Sequence, residues 1–158
     1  MNHSLKIGVV FGLTSGIITT LGLMVGLHSG THSRVVVIGG IVTIAIADAF
    51  SDALGIHVSE EAENVHTHKE IWTSTLATFA AKFFCSASFI IPLSLLPLST
   101  AIWVSLVWGL GLLALFSHML ARNQEKRSLP VVAEHLAIAV IVISLTHLLG
   151  DWISTWTY

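Results

Sequence analysis

The chain has 158 residues, 54% of them hydrophobic and only 10% charged, with a formal net charge of −2. A composition so apolar excludes an ordinary soluble domain, and no basic patch invites nucleic acid. The single cysteine, Cys85, falls inside an apolar run and excludes a disulfide framework within the chain.

Apolar runs recur along the chain, each near the roughly 20 residues that cross a bilayer. They predict an all-α, polytopic membrane domain over residues 1–158, with five spans at about 7–27, 35–56, 71–95, 100–121 and 131–152. The first run, Ile7 to Leu27, is too long for a signal-peptide core, and no A-x-A cleavage pattern follows it, so it is expected to remain as a helix. Lys6, Lys69, Arg122, Lys126 and Arg127 fall on one side of this topology and only Arg34 on the other. The positive-inside rule then predicts a cytoplasmic N-terminus and an external C-terminus, with Trp152, Trp156 and Tyr158 as an outer aromatic belt.

The first span carries Gly8, Gly12, Ser15, Thr19, Gly22 and Gly26 on one helical stripe. Small residues let helix backbones approach closely, so the stripe is foremost a packing seam. Its functional alternative is a pathway wall to which Ser15 and Thr19 add hydroxyls, with Met24 beyond as a soft metal ligand.

The second span holds Asp48 and Asp52, four residues apart and so on one helix face. A carboxylate near mid-bilayer costs several kcal/mol, so such an acid serves an ion path or has a partner. A short acidic loop, residues 57–70, follows. Glu60, Glu61, Glu63, His66 and His68 offer oxygen and imidazole ligands there for first-row divalent ions, or else form a solvated helix end. Their spacing matches no closed structural zinc site.

The third span contains Lys82, and a buried ammonium must pair with an acid or lose its proton. Asp48 and Asp52 are the obvious partners. Pro92 and Pro97 close this span, and the fourth follows after a very short turn. In the last span His147 and Asp151 form an i, i+4 pair near the outer end, either an exit relay for metal or protons or a carboxylate that only orients the imidazole.

The order of these motifs resembles the vacuolar iron transporter family, which also includes manganese exporters and nodulin-like proteins. GLTSGIITTLGLMVGLHSG is similar to that family's glycine-rich opening helix, and AFSDALGIHVSEEAE to its second helix with a charged end. TLATFAAKFFCSASFIIPLSLLPL and ARNQEKRSLPVVAEHLAIAVIVISLTHLLGDWI resemble its third helix and its last loop and helix. The chain departs from the family at Ser15, where an acid is common, at Asp52, where a methionine is common, and at Lys82. It also has a short loop where plant-type members insert a metal-binding domain.

The resemblance implies a divergent short member: a transporter rather than an enzyme, built as a five-helix homodimer with a pathway between subunits. It implies proton-coupled antiport of Fe²⁺ or Mn²⁺ out of the cytoplasm, in metal homeostasis, with metal ions and protons as passing cargo and no permanently bound cofactor. The expected location is the cell membrane, or the vacuolar membrane in a eukaryote. On this reading Asp48 and Asp52 are core ligands, with Ser15, Thr19, Met24 and Lys82 along the path. Glu60, Glu61, Glu63, His66 and His68 collect metal at the cytoplasmic mouth. The alternative is a non-transporting membrane module in which Lys82 permanently neutralises the intramembrane aspartates.

Overall fold

The computed structural model describes residues 3–156. Its elements are α1 (His3–Thr31), α2 (Arg34–Glu63), α3 (His68–Ser88), α4 (Ile90–Leu95), α5 (Leu98–Asn123) and α6 (Ser128–Ser154), with no strand among the described residues. Five helices are long and apolar enough to cross a membrane, α3 and α4 counting together as one. The expected five-span architecture is therefore present. Trp152 and Trp156 meet edge to face at 4.5 Å between ring centroids; Tyr158, the third member of the expected belt, lies outside the described residues.

Two boundaries differ from expectation for local reasons. The loop expected at 57–70 is much shorter, because α2 continues through Val58-Ser-Glu-Glu-Ala-Glu63. Glutamate and alanine favour a helix whether or not lipid surrounds them. Asn64 then ends the helix in the left-handed conformation (φ 52°) that asparagine tolerates better than most residues. Thr67 starts α3 with a capping box: its side chain accepts from the Glu70 N–H, and the Glu70 carboxylate accepts from the Thr67 N–H. The second difference is a break at Phe89, between α3 and α4. Pro92 has no N–H to return to the carbonyl four residues back, so the regular ladder cannot run through this point.

Packing is organised by α1, whose most apolar stretch is 44% buried, against 6% for α6. Helices α1, α3 and α6 run in one direction, and α2 and α5 run in the other. The glycine stripe divides between two neighbours. Gly8, Gly12 and Gly16 lie against Ser74, Thr78 and Lys82 of α3, matched turn for turn. Further along, Gly22, Gly26 and Gly30 lie against Val142, Thr146 and Gly150 of α6. A side chain at Gly8 or Gly12 would run into the carbonyl oxygens of Ser74 or Thr78, and one at Gly150 into that of Gly26. These are backbone atoms that cannot swing aside. A four-residue repeat advances about 40° round a helix at each step. The contact with α3 therefore winds off the face that α6 takes over. Between these helices Ile17, Leu21, Met24, Phe89, Leu93 and Leu113 form a fully buried apolar core.

The packing seam is thus intramolecular, and it makes a sharp contrast among glycines. Gly12→Ala should destabilise by about 1–3 kcal/mol through overpacking. Gly111→Ala, with nothing within 4 Å of the added carbon, should be neutral or gain up to about 1 kcal/mol of helix propensity. Thermal unfolding of the detergent-solubilised variants measures both; an equal response would mean that α1 and α3 do not touch at Gly12.

Candidate functional site

The charged centre of the molecule is built from three helices. Asp48 and Asp52 stand one turn apart on α2, on the flank of the Ala45–Ala49–Ala53 line that packs inward. Lys82 projects from the middle of α3, and Ser15 from the facing turn of α1. Lys82 Nζ lies 2.5 Å from Asp48 Oδ2 and 2.5 Å from Asp52 Oδ2, and it donates to Ser15 Oγ at 2.9 Å. The Ser15 hydroxyl in turn donates to Asp52 Oδ2 at 2.6 Å. The ammonium donates to Ser15 and to Asp52, and Asp48 adds an ion-pair contact. The expected pairing of Lys82 with the aspartates is present, and it involves both of them.

Burial separates the three charges. The Lys82 side chain is 0% exposed, Asp52 20% and Asp48 33%. The lysine stem reaches this depth because Gly16 has no side chain; a carbon there would stand 3.3 Å from Lys82 Cγ. Asp48, by contrast, lines a shallow, open surface groove of about 440 Å³ between α1 and α2, which Thr19, Thr43 and Ser51 also line. The centre therefore has a closed wall on the lysine side and an open one on the aspartate side. Removing one partner from a buried charge group strands the others, typically at about 3–5 kcal/mol.

The remaining candidates are dispersed. Glu60 is buried (4% exposed), and its Oε2 accepts from Ser74 Oγ at 2.6 Å while its Oε1 has no partner. Glu61 and Glu63 are exposed. His66 Nε2 lies 3.3 Å from Glu63 Oε2, and His68 Nε2 accepts from Trp72 Nε1 at 3.1 Å. Among the described residues no three His, Cys, Asp or Glu side chains converge as a metal cluster, so these acids and histidines form no common cage. Met24 is fully enclosed in the apolar core rather than on the Asp48 groove. Thr19 borders that groove, its hydroxyl bonded to the Ser15 carbonyl at 2.9 Å.

At the opposite end of the helices His147 Nε2 lies 3.6 Å from Asp151 Oδ2, and both side chains are more than half exposed. Ser29 of α1 donates to the Asp151 carboxylate and approaches the His147 carbonyl at 3.2 Å. The rings of His28 and His32 stand 5.3 Å apart on the same end of α1. The His147–Asp151 pair is thus tied to α1 at the point where α1 and α6 come closest.

Three polar contacts escaped the sequence reading. Thr20 and Ser86 share a buried hydroxyl bond of 2.9 Å between α1 and α3. His57 Nδ1 meets Thr75 Oγ1 at 2.9 Å, with its ring edge-on to Trp72. Ser74 holds Glu60. The available signal was the four-residue ladder Ser74, Thr78, Lys82, Ser86, which repeats the glycine spacing of α1.

Ser74→Ala would leave both Glu60 oxygens without a side-chain donor inside the protein. A loss of about 1–3 kcal/mol is expected, read as a lower unfolding temperature. Glu61→Gln on the exposed side of the same turn should stay within about 0.5 kcal/mol of the parent.

A family model described as the VIT family matches residues 8–72, which take in the Ser15 turn, both aspartates and the acidic end of α2. The match supports a divergent, short member of that family, and the family suggests metal-ion transport across a membrane. No curated protein and no solved structure gives a significant match.

Proposed function

We propose that this chain works as a divergent short member of the VIT family, an integral membrane protein that moves a divalent metal ion, Fe²⁺ or Mn²⁺, out of the cytoplasm in exchange for protons. The observation that carries the proposal is the pair Asp48–Asp52 at mid-span, with one carboxylate open to the α1–α2 groove. An all-oxygen site of carboxylates and hydroxyls suits hard or borderline ions such as Mn²⁺ and Fe²⁺ better than soft ones. Ser15 and Thr19 line the route beside them. Glu61, Glu63 and His68, exposed at the lysine- and arginine-rich end, and the part-buried His66 beside Glu63 raise the local metal concentration at a cytoplasmic mouth. Glu60 stands behind them inside the protein. His147 and Asp151, at the other end, serve the exit.

Several features favour a homodimer. The groove beside Asp48 is open to the surface, and α2 presents Ile46, Phe50 and Leu54 outward as well. A second copy facing this surface would close the groove and bring a second acid pair to the same depth, in the self-complementary manner of a two-fold interface. The cell membrane is the expected location, with the basic ends inside. A second reading keeps its own support: because the Lys82 ammonium already pairs with both carboxylates and donates to Ser15, the triad could serve only to hold the helices together in a non-transporting assembly module.

Uptake of Mn²⁺, Fe²⁺, Co²⁺ and Zn²⁺ by proteoliposomes, with and without a pH gradient, separates the two readings. Transport predicts metal flux driven by the gradient, abolished in Asp48→Asn and in Asp52→Asn. Changing Glu60, Glu61, Glu63, His66 and His68 together to Gln should weaken apparent affinity and leave residual flux. A parent protein without flux for any of the four metals would leave the assembly module.

A further inference from the structure

The position of Lys82 has a consequence for which ions can enter. Its Nζ is held by one oxygen from each of two carboxylates and by a serine hydroxyl, at 2.5, 2.5 and 2.9 Å. That is the kind of oxygen shell a metal cation would want, and the ammonium already occupies its centre. The two carboxylate oxygens that converge, Asp48 Oδ2 and Asp52 Oδ2, are the same two that hold the lysine. An ion that used both would coincide with Nζ. An ion placed beside the ammonium would bring like charges together in apolar surroundings, where they repel far more strongly than in water.

We propose that Lys82 is a tethered internal cation: it fills the ion position of the Asp48–Asp52 pair when no metal is bound, and it sets selectivity by having to be displaced. This rests on the reading of the two aspartates as the cation site. A monovalent ion offers the acids no more charge than the ammonium does and lacks its directed hydrogen bonds, so it gains nothing by exchange. A divalent ion offers twice the charge and can compete. The four-carbon stem allows the ammonium to withdraw, since lysine is a flexible point charge rather than a rigid fork. Lys82 is in this sense a specificity-determining residue that touches the same oxygens as the cargo.

The test is calorimetric binding of Mn²⁺ to the purified full chain, alone and in competition with Na⁺, for the parent, Lys82→Met and Lys82→Arg. Removing the tethered cation should tighten Mn²⁺ binding by at least about tenfold and should let Na⁺ compete, while the parent should show no Na⁺ competition. Arginine, which grips carboxylates through two parallel hydrogen bonds, should weaken Mn²⁺ binding instead. Opposite movement of the two variants is the signature, because a merely structural lysine would lose affinity in both. Lys82→Gln replaces the methionine variant if that one does not fold. Unchanged or weaker Mn²⁺ binding in Lys82→Met or Lys82→Gln overturns the proposal, as does an absent Na⁺ effect. Parent flux in proteoliposomes is read alongside. Tighter variant binding without parent flux removes the transport reading and sustains the internal cation; parent flux with unaltered variant affinity does the reverse.

Discussion

An ammonium placed at the middle of an apolar helix bundle must be surrounded by oxygens, and much of this molecule follows from meeting that demand. Lys82 fixes the register of α3 against α2, because only one sliding position brings Asp48 and Asp52 to the same nitrogen. It also fixes α1, since the ammonium donates to Ser15 as well. Charge pairing of this sort is a poor source of net stability, because desolvation opposes the attraction. Its geometric demands are severe, however, and the triad works here as a register mark for three helices.

The register could not be met without the seam on α1. Between membrane helices there is little hydrophobic drive, and association relies on close backbone contact. Gly8 and Gly12 supply that contact below the charged layer, and Gly16 supplies it at the layer itself. Above it the bond from Thr20 to Ser86 continues the pairing with α3. The seam and the site are therefore one construction: the glycines bring α3 close enough for Ser15 to reach Lys82, and the lysine stem uses the space that the glycines leave.

The five spans were legible because the length of an apolar run is a direct reading of bilayer thickness. The pairing of Lys82 was legible because a buried charge has few acids to choose from in so sparsely charged a chain. The end of α2 was not, since hydropathy marks where lipid stops and says nothing about where a helix stops. Glu60 was hidden for a related reason. It sits among Glu61 and Glu63 in sequence, and only the approach of Ser74 from α3 makes it a buried acid while its neighbours stay in water. Met24 shows the converse: a thioether on a polar-looking stripe is ligand or filler according to its neighbours, and Ile17, Leu21 and Phe89 make it filler.

The division of the α1 seam also bears on how the protein is made. The lower glycines find α3 as soon as the third span has entered the bilayer. The upper set, Gly22, Gly26 and Gly30, waits for α6, which enters three spans later than α3's partner helix α2. Until then that face of α1 has only lipid or the chain's own α2 and α5 to lie against, and Ser29 lacks the Asp151 carboxylate it will bind. Membrane insertion thus leaves a half-finished central helix, with bare backbone at its far end, until α6 arrives.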